Sequence, residues 1–235
     1  MNAPPARPPF TVHGRRRGRR LRPGRLRLLE TVLPLLAIDL PPPGGRLDPV
    51  RLFARPPGDV WLEIGFGAGE HLAWQAQRNP EVGFVGCEVF VNGVASLLDQ
   101  VARLGLDNLR VFPDDARGLI EALPDACLGR VFLLFPDPWP KARHGERRFI
   151  GRDNLGRLAR VLKDGAELRV ATDDPAYMRW TLEHVLSHAD FHWPARRPAD
   201  WRDRPPDWPP TRYEQKALAA GRRPIYLRFE RRPRA

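Results

Sequence analysis

Three apolar runs in the first half of this 235-residue sequence are each followed by carboxylates: Glu63 after the first, Glu88 after the second, Asp114 and Asp115 after the third. The first run leads into Gly65-Phe-Gly67-Ala-Gly69 and then a helix-like pattern. Glycines at the carboxyl end of a first strand let backbone approach a ligand closely. A dinucleotide site would want another glycine in the sixth position, where this chain has Glu70. A pyrophosphate would also want amides and positive charge rather than carboxylates.

An acidic rim suits a cation. S-adenosyl-L-methionine has no phosphate and carries a sulfonium and an ammonium, so it matches the rim. Gly65, Gly67 and Gly69 form the turn for it. Glu88, 25 residues beyond Glu63, is placed to accept from both ribose hydroxyls, and Asp115 to accept from the adenine amine. A tight turn with incidental surface acids is the plain alternative. Acids after three successive strands weigh against it.

A second constellation follows the buried-strand pattern Val131-Phe-Leu-Leu-Phe135: Pro136-Asp137-Pro138-Trp139-Pro140-Lys141. Prolines on both sides fix the backbone of Asp137. Carboxylate, aromatic face and cation stand together, a kit for holding a base: stacking from Trp139, hydrogen bonding from Asp137, phosphate contact from Lys141. Farther on, Asp174 before Pro175 reads as a helix N-cap, which leaves Asp173 free to face a cleft. Thr211-x-x-Glu214 reads as a capping box. The Glu214 carboxylate could also accept from a ligand, and both readings hold at once if the helix start faces a substrate. His184 and His188 lack a third ligand, and Cys87 and Cys127 offer no metal set or disulfide framework, so no metal site is expected.

These groups need a scaffold. Strand patterns fall at 60–64, 84–88, 109–112, 130–135, 167–171 and 225–229. Helical patterns fall at 25–36, 70–78, 92–104, 116–122, 152–162, 176–189 and 213–220. The alternation predicts an α/β fold, a mostly parallel sheet with helices on both faces. A Trp- and Pro-rich stretch, 191–210, precedes a last strand with no helix after it. Residues 1–24 are expected to be a basic flexible tail, and 25–235 one domain that includes a C-terminal substrate-binding segment. The net charge is +11, with nine Arg and no acid in residues 1–29 and six Arg against Glu230 in residues 222–235. Basic ends on a near-neutral body point to a phosphate backbone. The tail is expected to serve that partner and not the cofactor. The best apolar run, 32–38, is broken by Pro34 and followed by no small-x-small cleavage pattern, so no membrane contact and no leader are expected.

Leu62-Glu-Ile-Gly-Phe-Gly, Phe135-Pro-Asp-Pro-Trp-Pro-Lys-Ala-Arg-His and Thr211-Arg-Tyr-Glu-Gln-Lys-Ala-Leu, with the later Pro224-Ile-Tyr, closely resemble the bacterial tRNA (guanine-N7-)-methyltransferase family over roughly residues 25–230. The resemblance implies a Rossmann-like class I methyltransferase, cytoplasmic, that methylates guanine 46 in the tRNA variable loop. No obligate protein partner is evident from the sequence. Carried over, cofactor contacts fall on Glu63, Glu88, Asp115 and Asp137. Contacts to tRNA or guanine fall on Lys141, Asp173, Thr211, Arg212, Tyr213 and Glu214, and Asp137 is the catalytic candidate. Pro140 stands where many members have His and Arg212 where many have Lys; neither removes a named role, though Pro140 weakens the case for a catalytic His in that loop. A nicotinamide-dependent oxidoreductase would share the glycine loop but not the acidic rim. A non-catalytic RNA-binding module would share the basic ends but not the glycine loop.

Overall fold

The structure, a computed structural model, describes residues 10–234. Residues 1–9, which include Arg7 of the basic tail, and Ala235 lie outside the described residues. In chain order the elements are α1 (Pro23–Thr31), α2 (Leu33–Leu36), β1 (Asp59–Ile64), α3 (Glu70–Arg78), β2 (Val82–Cys87), α4 (Val91–Leu104), β3 (Leu109–Phe112) and α5 (Ala116–Ala122). There follow β4 (Leu128–Leu134), α6 (Arg152–Val161), β5 (Leu162–Thr172), α7 (Pro175–Leu186), β6 (Phe191–His192), α8 (Ala199–Arg202), α9 (Arg212–Ala219) and β7 (Ile225–Arg231).

Alternation along β1 sends Val60, Leu62 and Ile64 into a core beneath α5, α6 and α7, and Trp61 and Glu63 to the opposite face. That opposite face packs Leu72 and Ala73 of α3 and Val94, Leu97 and Leu98 of α4 against Phe84 and Val111. Apolar faces on both sides of a sheet are what parallel strands require. The sheet runs β3-β2-β1-β4-β5-β7-β6. The first five pair in parallel, and β7 lies antiparallel between β5 and β6. The order reverses between β1 and β4, so a crevice opens at their carboxyl ends, where ligands bind in such sheets.

All six predicted strands and the predicted helices are present, with three differences. The helix expected over 25–36 is two helices meeting at Val32, because Pro34 lacks the N–H needed to continue the first. The second strand ends at Cys87, which leaves Glu88 just beyond it, facing the crevice. The Trp- and Pro-rich stretch contains the short β6 and α8, too brief to carry a periodic signal. Among the described residues no helix is long and apolar enough to cross a membrane, and no group of His, Cys, Asp or Glu that could hold a metal is found.

Candidate active site

The glycine turn is built from three left-handed residues: Gly65 at φ +69°, Gly67 at +58° and Gly69 at +81°. A side chain in that region costs energy that glycine avoids. Across the turn, a Cβ on Gly93 of α4 would lie 2.1 Å from the carbonyl oxygen of Gly67, so backbone packs on backbone there. Sequence reasoning missed Gly93; a glycine in the first turn of a helix was its only signal. Gly65 and Gly67 line a cavity of about 460 Å³, whereas Gly69 does not. A Cβ on Gly69 would meet Leu97 at 2.6 Å, so this glycine serves close packing of the loop on α4 rather than ligand contact.

The expected acidic rim lies around this cavity. Glu63, Glu70, Glu88, Asp115 and Asp137 all line it. Glu88 anchors the loop: its two carboxylate oxygens accept from the Gly67 N–H at 2.8 Å and the Phe90 N–H at 2.9 Å. Burial pushes its carboxyl above the ordinary range, the backbone donors pull it back, and the Asp137 charge nearby raises it further. Glu63 is buried and bonded to the His71 ring nitrogen Nδ1 at 2.6 Å. Asp115 caps α5 by accepting from the Arg117 N–H, and the Arg117 guanidinium grips its carboxylate at 2.9 and 2.6 Å. An adenine amine would have to share that carboxylate with Arg117.

The loop after β4 holds two strained residues: Phe135 at φ +51° and Trp139 at +42°. Bulky residues rarely adopt such angles, and strain of this kind collects at functional sites. What holds it is visible. The Phe135 N–H donates to Ala171 O at 2.8 Å, and Arg148 donates to Pro138 O and Trp139 O at 2.9 and 3.0 Å. Arg148 in turn stacks over Trp180 of α7. Asp137 sits exposed at the cavity mouth with no ion pair or side-chain hydrogen bond among the described residues. Trp139 beside it is flanked by His13, His144 and the Arg147 guanidinium. Lys141 is exposed outside the cavity.

The C-terminal candidates divide. Thr211 and Tyr213 line the cavity, and the Tyr213 ring covers Gly67. Arg212 stays outside and turns back to Glu70, 3.7 Å away. Asp174 caps α7 as expected, and Asp173 does not reach the cavity; its carboxylate is 2.6 Å from Arg222. Glu214 turns inward instead of toward a base. It is buried, completes the capping box with Thr211, and accepts from the Tyr226 hydroxyl at 2.6 Å. That hydroxyl is pushed up by its own burial and by Glu214. The capping half of the sequence reading of Glu214 is present, and a guanine edge would have to share the carboxylate with Tyr226. Glu214→Ala removes the reciprocal arm of the capping box and a charged hydrogen bond from Tyr226, a loss of roughly 1.5–3 kcal/mol measurable by urea unfolding. An unchanged urea midpoint would show that these interactions contribute nothing.

The basic tail differs most from expectation. Residues 10–22 cross the cavity instead of standing apart, and Thr11 to Arg15 line it. Asn92 clamps the segment, accepting from the Gly18 N–H at 2.8 Å and donating to Arg19 O at 2.7 Å. Val91 N donates to Arg16 O, the Arg16 side chain pairs with Asp114 at 2.8 Å, and Phe10 lies against the Arg117 guanidinium. These are backbone and single-residue interactions, which leave no periodic trace in a sequence.

A family model described as "Putative methyltransferase" matches residues 58–227. The tRNA (guanine-N(7)-)-methyltransferase of Rhodospirillum rubrum is 57% identical over 225 residues, covering 95% of this chain and 88% of that protein. The protein of the same name from Paramagnetospirillum magneticum is 52% identical over 234 residues, covering 99% and 97%. Among solved structures, the 16S rRNA methyltransferase KamB superposes with TM-score 0.52 at 18% identity, over 75% of this chain and 89% of that chain. The [4+2]-cyclase SpnF superposes with TM-score 0.51 at 17% identity, over 75% of each. The last two speak to fold alone. A cyclase shares the fold, so chemistry must be argued from the site.

Proposed function

This chain belongs to the tRNA (guanine-N(7)-)-methyltransferase family, and from that premise we propose how its cleft carries out the reaction. The reaction is transfer of the methyl group of S-adenosyl-L-methionine to N7 of a guanine in tRNA. We assign that guanine to position 46 of the variable loop and the enzyme to the cytoplasm, where tRNA is modified. The observation that supports the site assignment is the carboxylate-lined cavity at the carboxyl ends of β1, β2 and β3, with Asp137 at its mouth and without an ion pair or side-chain hydrogen bond among the described residues.

The cavity fits the methyl donor. Backbone packing at Gly93 and the tether from Glu88 preform the glycine loop, and the carboxylates favour a cation where a pyrophosphate would be repelled. Glu63, Gly65, Gly67, Glu88, Asp115 and Asp137 would hold the donor. When bound, it supplies an electrophilic methyl carbon. Guanine N7 is an in-plane lone pair, unprotonated at neutral pH, so the chain need not supply a general base. The methylated base is cationic. The protein's work is alignment and negative charge close to the developing cation. Asp137 provides that charge, and the strained backbone on either side of it fixes its position. The Trp139 and Tyr213 rings offer faces for the base, the exposed Lys141 is available to a phosphate, and Arg212 becomes available to one when its 3.7 Å pair with Glu70 opens. For Asp173 to take part, its pair with Arg222 must open, and a half-exposed pair costs little to open, about 1 kcal/mol or less.

Calorimetric titration with S-adenosyl-L-methionine and with NAD tests the cofactor assignment: the first binds and the second does not, and the reverse result would overturn that assignment. Deleting residues 1–22 tests the arm. That segment carries seven Arg. Its removal should weaken tRNA binding and flatten the slope of log affinity against log salt by roughly 0.7–0.9 for each phosphate the arm no longer neutralises. Because Thr11 to Arg15 line the cavity, affinity for S-adenosyl-L-methionine should fall as well. Unchanged cofactor affinity would return the arm to the purely tRNA-directed role expected from sequence.

A further inference from the structure

The reading of this cavity as the methyl-donor site makes His71 conspicuous, because it lines the cavity, is buried beside Glu63, and no step above uses it. His71 is the second residue of α3 and only 3% exposed, as is Glu63 on the neighbouring strand. Its ring lies edge-on to Phe132 at 4.7 Å and to Trp208 at 6.2 Å. Nδ1 is 2.6 Å from a Glu63 oxygen, and Nε2 is 3.2 Å from the Gln75 amide nitrogen.

The proton positions follow from the partners. The Gln75 amide group also contacts the backbone carbonyl of Asp207 at 2.7 Å. A carbonyl only accepts, so the nitrogen of the amide must face it, and that nitrogen only donates. The Gln75 oxygen meanwhile accepts from Asn79. Nε2 of His71 therefore accepts from Gln75, the ring proton sits on Nδ1, and Nδ1 donates to Glu63. A buried hydrogen-bond chain starts at the Gln75 amide, which donates both to the Asp207 carbonyl, held by the Arg169–Asp207 pair at 2.7 Å, and to His71, and His71 donates in turn to the carboxylate at the cavity wall.

We propose that His71 is a positioning residue for the methyl-donor site: it fixes the rotamer of Glu63 with a neutral N–H and so leaves the full negative charge of that carboxylate for a cationic ligand. The chemistry of the donor matters here. A Lys or Arg in the same place would orient Glu63 equally well but cancel its charge, whereas an Nδ1–H imidazole orients without cancelling. The aromatic wall of Phe132 and Trp208 keeps the ring from turning.

The test is a double-mutant cycle read by calorimetry with S-adenosyl-L-methionine, alongside thermal unfolding of each protein. His71→Phe keeps the ring and its aromatic packing but removes the donor, and it should weaken binding about tenfold. His71→Asn, whose amide nitrogen stands where Nδ1 stood, should recover most of that affinity. His71→Gln, whose amide stands where Nε2 stood, should not, and it serves in place of Phe if the Phe variant does not fold. In a Glu63→Gln background the Phe substitution should add little, because the two act as one unit. Additive effects, or Phe and Gln variants that bind as the parent does while melting earlier, would overturn the proposal and leave His71 as packing alone. Glu63→Gln binding as tightly as the parent would overturn the cofactor reading of the cavity itself, and the His71 role with it.

Discussion

Asp137→Asn should slow methyl transfer by about two orders of magnitude at saturating cofactor and tRNA, the scale of losing one aligned electrostatic group from an active site. The substitution keeps size and hydrogen-bonding capacity and removes only charge. Asp137 is exposed and has no ion pair or side-chain hydrogen bond among the described residues, so the fold does not depend on it. Unfolding free energy should therefore stay within about 0.5 kcal/mol of the parent, as for a surface position. Single-turnover kinetics separate the chemical step from binding. Near-parental turnover would mean that geometry suffices and that the negative charge at this position does not stabilise the cationic product.

Glu88→Ala should weaken S-adenosyl-L-methionine binding by roughly 1.5–3 kcal/mol for each charged hydrogen bond removed, together with slackening of the glycine loop as the Gly67 and Phe90 N–H groups lose their acceptor. The same residue predicts a pH dependence. Its carboxyl is raised above 4.5 mainly by burial. A raised carboxyl contributes stability to the empty protein that is fully present below 4.5 and is lost as pH rises through the raised value. Cofactor binding moves the other way, because a cation favours the ionised carboxylate. Between 4.5 and the raised value, acidification should stabilise the empty protein through this residue and weaken its hold on the cofactor. Glu88→Gln should flatten both dependences. Thermal melts of the empty protein across that range check the first, and calorimetry with the cofactor checks the second.

The parts of this molecule legible from sequence are those written in period and punctuation. Short apolar runs placed β1 and β4, the Gly65–Gly67–Gly69 spacing placed the turn, and Asp174-Pro175 and Thr211-x-x-Glu214 marked two helix starts that the structure contains. Strand ends fixed the acidic rim, since a parallel sheet gathers the carboxyl ends of successive strands at one edge. What sequence could not give was the direction of individual side chains. Glu214 was compatible with a guanine edge by chemistry, and only the burial of Tyr226 beside it shows where its charge is used. Asp115 carried no sign of the Arg117 grip, although the two are close in sequence, because either could have turned to solvent. The arm lay in a Pro- and Arg-rich stretch whose composition resembles a solvated tail. Its placement rests on Asn92 and on main-chain atoms, which composition does not report.

Direction of a methyl group to N7 of a tRNA guanine by Asp137 and the acidic cavity is open to a direct measurement. The protein is incubated with unmodified tRNA and S-adenosyl-L-methionine labelled in the methyl group, and the label is located by chain scission specific for N7-methylated guanine. The parent should give a single scission in the variable loop, at guanine 46, and Asp137→Asn should nearly abolish it. Label on an exocyclic amine or a ribose, or scission at N7 that survives undiminished in Asp137→Asn, would contradict that assignment.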